Sequence, residues 1–530
     1  MAAPPLAPAG LPGGMLDVVP ITVLTDSYKA SHFLQYPDPT KMVAYGEFRC
    51  GFDRDEEDTR LVWYGIRYII DHYVARRWTM EDVERADAFY STHNAGGSPY
   101  PFPRDLFAKI VTQHGGHFPV KIQALREGTP VHAHVPVYQI TAEGEFAPLC
   151  TYLETLLTMA WYPTTVATLS RRARDAIAAA FEDSVEGGAA SPLLASRLHD
   201  FGFRGCTSVE QSVIGGCAHL LNFEGTDTMS AAYYAQARGA PLFGLSPFHL
   251  NGGRPVASSI PATEHSVMTA WPNEAAAISN MVEKFGTGVF ACVMDSYDYA
   301  AALAEVAAGG YMVLRPDSGD PVEVVLMALR AADSVFGSTV NSKGFKELKG
   351  VGVIQGDGIN LATIKDILSA VLAEGYSAAN VAFGMGGGLL QKVNRDTMSF
   401  ATKLCHMALR GGGARDVMKH PKTDSSKISL PGVLAVKRVG DVPTVFPADS
   451  GEVAPGEDLL EVVYDCGPVP GRSWDDFASV RARLASEWDA LPRTADVISG
   501  PLRDKIAAVV AAGQGAAAGG RKAGAAAGGG

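Results

Sequence analysis

The chain has 530 residues, of which 47% are hydrophobic and 19% charged, and its formal net charge is −12. That composition suits a globular protein with a sizeable core, and it argues against general nucleic-acid or anionic-membrane binding, which need basic faces. Seven scattered cysteines with no C-x-x-C pair argue against a structural zinc site and favour reduced thiols in a cytoplasmic compartment. No apolar run approaches the ~18 residues of a membrane span.

Residues 1–20 are Ala/Pro/Gly-rich without a charged n-region, and read as a disordered leader. Residues 21–150 read as an α+β region flanking a larger domain. In it, Thr25 or Asp26 is placed to cap a short helix ending near His32, and 41–49 alternates as a strand. Residues 62–78 predict a helix with Ile66, Ile69, Ile70 and Tyr73 on one face, and short strands follow at 120–122, 131–135 and 137–140.

From 151 to 410 the pattern is that of an α/β barrel. A helical stretch starts at Thr151, breaks at Pro163 and resumes to Phe181. Strand-like runs then recur, each ending in a polar or glycine-rich tip ahead of a helix. They begin at Leu198 with tip Phe201 to Gly205, at 220–223 with tip Gly225-Thr226-Asp227, and at 256–260 with tip Thr263-Glu264-His265. The fourth, 289–293, ends in Asp295-Ser296-Tyr297-Asp298. The last three end in Arg315-Pro316-Asp317-Ser318-Gly319, Gln355-Gly356-Asp357-Gly358 and Gly384-Met385-Gly386-Gly387-Gly388. Seven such units exceed what half of a doubly wound sheet needs, so the fold expected is an irregular (β/α) barrel. Residues 411–495 return to the flanking α+β domain, with a last helix around 474–487, and 496–530 form a low-complexity tail.

The tips carry the chemistry. Four glycines in 384–388 let a backbone approach a phosphate, although a tight turn without a ligand is the plainer explanation for the run alone. Arg315 and Asp317 bracket Pro316 at a strand end, where an ion pair of purely structural purpose is the alternative. Asp357, between two glycines, suits vicinal ribose hydroxyls. Asp295 and Asp298 could do the same, bind Mg²⁺ through water, or cap a helix. His265 is either a packed or capping residue or a partner for a phosphate. Arg395, on the helix expected after the glycines, could reach that phosphate. Between 390 and 438, ten Lys or Arg face three acids, a basic island suited to a small anion or simply a solvated face.

Taken together, these residues resemble the nicotinamide phosphoribosyltransferase family, type II phosphoribosyltransferases. Thr25 to Lys29, His199 to Gly205, Gly225 to Thr228, Glu264 to Ser266, Asp295 to Asp298, Arg315 to Gly319, Gln355 to Gly358 and Gly384 to Lys392 carry the likeness, which extends over about 21–429. It implies transfer of phosphoribosyl from phosphoribosyl pyrophosphate to nicotinamide in NAD salvage, by a cytoplasmic homodimer with shared sites. By position, Phe201 and the partner subunit's Tyr28 would sandwich the pyridine and Asp227 would accept from the carboxamide. Arg315 would face the amide and the ribose-phosphate region, Asp317 and Asp357 the ribose hydroxyls, and Gly386, Gly387 and Arg395 would hold the 5′-phosphate. Arg204, His265 and, from the other subunit, Arg49, Lys403 and Lys419 would gather around pyrophosphate and its Mg²⁺, and Asp295 and Gly356 would also bind substrate. The resemblance also implies phosphorylation of His265 by ATP, and no protein-held metal.

The segment 236–256 is longer than the family pattern, and Met385 stands where a small polar residue is usual. Two other readings stay open: a nicotinate phosphoribosyltransferase, and a non-catalytic binding or signalling protein on the same scaffold. Asp227 bears on the first, because a carboxylate repels nicotinate.

Overall fold

A computed structural model describes residues 19–237, 255–304, 311–421 and 428–512. The leader before residue 19, most of the 236–256 insertion and the Gly/Ala stretch after 512 lie outside the described residues. Two compact units divide the chain: one has the residues up to Trp161, Met398–Trp474 and those from Glu487 onward, the other Tyr162–Thr397 and Asp475–Ser486. The sequence expectation drew the barrel region at 151–410.

The first unit is α+β and joins both ends of the chain in one antiparallel sheet. Its strands, in spatial order, are Ala414–Asp416, Ala401–Leu409, Pro39–Glu47, Pro136–Glu143, Val120–Ala124 and Glu461–Asp465. Tyr45, Trp63, Tyr138 and Tyr464 are fully buried in its core. The helix expected over 62–78 is shorter. Residues 60–62 pair as a strand, Gly65 turns the chain at φ 105°, and Ile66–Ile69 runs into a wide turn at Ile70–Val74. The expected cap also differs. Asp26 precedes the helix Ser27–Ser31 without capping it, because its carboxylate accepts from Thr155, while Thr25 donates to the Tyr152 carbonyl at 3.0 Å. Residues 500–512 are helical with Leu502 buried, within the stretch expected as tail.

The second unit is the barrel. Its strands are β1 (Leu198–Asp200), β2 (Gly225–Thr226), β3 (Val289–Val293), β4 (Tyr311–Arg315), β5 (Val351–Gln355) and β6 (Val381–Met385). All are parallel, in the order β2-β1-β6-β5-β4-β3. Single parallel bridges from Gly225 to Ser258 and from Ala262 to Ala291 link the two edges through 258–262. Seven chain passes therefore surround the core, but two are reduced. Residues 220–223 are not a strand: they follow the helix Val209–His219 as a turn, with the Leu220 amide bonded to Gly216 at 3.0 Å. Their apolar run fits a buried turn as well as a strand, an ambiguity that periodicity does not resolve. Likewise, 256–260 pairs only at Ser258. Pro163 does not break a helix; it sits in the first turn of Trp161–Ser184, where its missing N–H costs nothing.

Among the described residues, no helix is long and apolar enough to cross a membrane.

Candidate active site

The strand ends of the barrel meet at the Phe201 ring. The Phe201 amide donates to the Met385 carbonyl at 3.0 Å, extending the pairing of β1 with β6. That puts the ring against bare backbone: a Cβ built on Gly384 would lie 2.0 Å from Phe201 Cε2, and one on Gly356 3.3 Å from it. Glycine at 384 is therefore a demand of close approach, not of turn geometry. The Arg315 guanidinium stands 5.3 Å from the ring centroid. A cavity of ≈ 350 Å³ opens here, lined by Phe201, Phe203, Arg204, Asp227, Thr228 and Arg315.

A charged chain runs along one side. Arg315 donates to Asp317 Oδ1 through Nη2 at 3.0 Å and Nε at 3.3 Å. Asp295 Oδ2 accepts from the Asp317 amide at 3.0 Å and from the Ser318 hydroxyl at 2.5 Å. His265 closes the group, with Nε2 3.2 Å from Asp295 Oδ1 and Nδ1 3.8 Å from Asp317 Oδ2. It is 47% exposed at the start of the short helix His265–Thr269, so one face of the imidazole stays open to a ligand. Capping falls to Asp298, which accepts from the Ala301 amide at 3.0 Å. Asp295 is thus a network member.

Asp227 is exposed at the end of β2, its amide bonded to the Asp200 carbonyl at 3.0 Å and its carboxylate accepting from the Ser259 hydroxyl. Ser259 was not singled out by the sequence; only its place at the end of an expected strand pointed to it. Beneath, Asp200 is fully buried. Its Oδ1 accepts from the Gly202 amide at 2.7 Å, and Oδ2 has no partner among the described residues. Burial pushes its carboxyl up to about 6, against the opposing pull of the Gly202 amide.

The remaining barrel residues are more dispersed. Arg204 is exposed on the turn Phe203–Gly205 at the cavity wall. Asp357 is exposed beyond β5. Gly386 precedes and Gly387 opens a helix of only four residues, Gly387–Leu390. Arg395 is not on that helix. Asn394 takes the Asp396 amide with its side chain at 2.8 Å, the Asx pattern that favours a turn, and Arg395 is exposed within it.

Four of the expected site residues belong to the first unit. Tyr28 is 53% exposed on the helix Ser27–Ser31, with His32 edge-on at 5.0 Å. Arg49 Nε lies 3.6 Å from the fully buried Glu47 carboxylate. Burial, and then the Arg49 charge, hold the Lys403 ammonium below its ordinary value. Lys419 is exposed, its amide bonded to Ser429 Oγ at 2.8 Å. The basic island is thus dispersed: Lys392 and Arg395 belong to the barrel unit, Arg410, Lys437 and Arg438 pair with Asp38, Glu457 and Glu487, and among its described residues only Lys419 joins Arg49 in acting on the Lys403 charge.

Among the described residues, no three His, Cys, Asp or Glu are grouped to hold a metal. Both oxygens of Asp295, the nearer carboxylate neighbour of His265, are hydrogen-bonded to protein groups.

Residues 196–446 match the nicotinate phosphoribosyltransferase (NAPRTase) family, and residues 20–122 match the N-terminal domain of nicotinamide phosphoribosyltransferase. A nicotinamide phosphoribosyltransferase of Xanthomonas campestris pv. campestris is 41% identical over 477 residues, covering 85% of this chain and 95% of that protein. The chain belongs to the nicotinamide phosphoribosyltransferase family. Another enzyme of that name, from Acinetobacter baylyi, is 29% identical over 88% of this chain and 97% of its own length. Among solved structures, a Pyrococcus furiosus nicotinate-nucleotide pyrophosphorylase matches with TM-score 0.57 at 15% identity, over 89% of this chain and 96% of that one. Human nicotinic acid phosphoribosyltransferase matches with TM-score 0.56 at 19% identity, over 92% and 100%. At such identities the shared feature is the fold, that of type II phosphoribosyltransferases.

The Asp200 carboxyl makes a pH prediction. A raised folded-state value means that its contribution to stability is complete below the unfolded value of 3.8 and is lost as pH rises through about 6. The amide variant Asp200→Asn avoids that loss. It should match wild type near pH 3.5 and exceed it above pH 6, by roughly 3 kcal/mol at most, in denaturant titrations across pH. A difference independent of pH would contradict the buried neutral carboxyl.

Proposed function

We propose that this enzyme transfers the phosphoribosyl group of phosphoribosyl pyrophosphate to nicotinamide, giving nicotinamide mononucleotide and pyrophosphate. The observation that carries the choice of base is Asp227 on the wall of the Phe201 cavity, its carboxylate held by Ser259. A carboxylate accepts from a carboxamide NH₂ and repels the carboxylate of nicotinate, which disfavours the nicotinate reading.

The reaction forms a bond from the pyridine nitrogen to ribose C1 and breaks the bond from C1 to the pyrophosphate oxygen. The pyridine nitrogen carries a lone pair already, so no base is required. The protein's work is positioning and stabilising leaving-group charge. In this proposal Phe201 stacks the electron-poor ring, and Arg315 reaches both the amide and the ribose phosphate. Asp317, Gly356 and Asp357 take the ribose hydroxyls, and Gly386, Gly387 and Arg395 the 5′-phosphate. Arg204, Asp295 and His265 meet the pyrophosphate, which brings its Mg²⁺ with it.

A homodimer completes the site. Tyr28 of one subunit covers the ring held by the other, and Arg49, Lys403 and Lys419 supply cations to its pyrophosphate. Exposure of Tyr28 and the strained, partly buried Lys403 charge support this arrangement. The open face of His265 also supports phosphorylation by ATP: a phosphoryl group passes to an imidazole nitrogen and ADP leaves. The cysteines, none of them in a disulfide, support a cytoplasmic setting for the reaction.

Two measurements test the proposal. Product analysis with phosphoribosyl pyrophosphate and each base should give nicotinamide mononucleotide preferentially, and Asp227→Ala should cut that preference by about a hundredfold. Preference for nicotinate, or turnover untouched by Asp227→Ala, would overturn it. Mixing inactive Tyr28→Ala and Asp317→Ala proteins under demonstrated subunit exchange should restore about a quarter of wild-type activity, the share of sites built from two intact halves in random pairing. No recovery would rule out shared sites.

A further inference from the structure

Arg481 lies on the helix Phe477–Trp488, within the segment Asp475–Ser486 that belongs to the barrel unit although it follows the other unit in sequence. Its guanidinium donates to three main-chain carbonyls: Leu220 through Nε at 2.5 Å, and Phe223 and Val256 through Nη2 at 2.7 and 2.9 Å. No carboxylate is hydrogen-bonded to it among the described residues. Burial holds it down to about 10, so it stays charged at neutral pH. A cation placed this way, bridging carbonyls instead of an acid, is an organiser of backbone.

The carbonyls it joins are informative. Leu220 and Phe223 lie in the turn that leads into β2, and Val256 lies two residues before the 258–262 pass. These are the two reduced passes of the barrel. Pairing between them consists of the Thr226 amide on the Ser258 carbonyl at 3.1 Å and the Ser258 amide on the Glu224 carbonyl at 2.8 Å. So short a ladder specifies register weakly. At its far end stand Asp227 and Ser259, joined by the Ser259 hydroxyl. A slip of one residue would move Ser259 by about 3.3 Å along the strand and turn its side chain to the other face, breaking that bond.

We infer that Arg481 is a positioning residue for the choice of base: it locks the register of β2 against 258–262 so that Ser259 orients the Asp227 carboxylate. Arginine's planar fork spreads its donors over separate nitrogens in a fixed geometry, here Nε and Nη2, whereas lysine offers all of its donors from one flexible point. The inference rests on Asp227 selecting nicotinamide.

Full-length Arg481→Met, Arg481→Lys, Ser259→Ala and the double variant Arg481→Met/Ser259→Ala test it by steady-state kinetics with both bases. Arg481→Met should lower the ratio of kcat/KM for nicotinamide over nicotinate by about tenfold, while KM for phosphoribosyl pyrophosphate moves by less than about twofold. Arg481→Lys should recover part of the ratio. Ser259→Ala should lower it similarly, and the double variant should lose no more than the worse single one. An unchanged ratio with only a lowered thermal midpoint would overturn the inference, as would additive losses in the double variant. If Arg481→Met does not fold, a partial loss of ratio in Arg481→Lys supports the inference and an unchanged ratio overturns it. Wild-type preference for nicotinate would instead mark failure of the base-choice reading itself.

Discussion

The site depends on one close contact, the Phe201 ring laid against a strand that has no side chain there. With a Cβ at position 384 falling 2.0 Å from ring carbon, the ring and the bare backbone of β6 occupy one shared slot. That contact fixes the cavity floor, and the rest is arranged around it: the Arg315 guanidinium over the ring, Arg204 and Asp227 on the walls. Because the ring's amide also continues the pairing of β1 with β6, its orientation is set by sheet geometry and not by a mobile loop. In the proposed reading, a ring so held would lose little freedom when a flat base docks on it, which would leave binding energy for positioning.

Electrostatics at the site is divided between two functions. Arg315, Asp317, Asp295 and His265 form a connected chain in which each group faces an oppositely charged or hydrogen-bonding neighbour. Asp227 also lines the cavity, held by a neutral hydroxyl and in no ion pair among the described residues. Its second oxygen is the acceptor that the proposed reading gives to an incoming amide. The buried Asp200 immediately below adds to this local negative character only when ionised, since burial favours its neutral form.

Much of this was legible in the chain because parallel α/β folds put function at strand ends. The strands at 289–293, 311–315, 351–355 and 381–385 stand out as buried runs with polar or glycine-rich tips, and they are strands. Hydrophobic pattern could not separate the turn at 220–223 from a strand, because all four residues are buried in either case, nor show that 256–260 pairs at one residue, where only Val256 is buried. Glycines at 384–388 suggested phosphate approach, whereas the structure gives Gly384 a second task under Phe201. The Ser259 and Arg481 contacts join residues 32 apart and more than 220 apart, and no local periodicity encodes such partners. Arg395 was assigned to a helix that stops at Leu390, since the Asn394 side chain competes for the backbone there.

In the proposed site Phe201 holds the pyridine while Asp227 reads its amide. A crystal structure of the enzyme with nicotinamide mononucleotide decides between this arrangement and any other. The expected result is the pyridine stacked on Phe201 with its carboxamide nitrogen about 2.8–3.1 Å from an Asp227 oxygen. A pyridine bound away from Phe201, or a carboxamide whose nitrogen points away from Asp227, would contradict it.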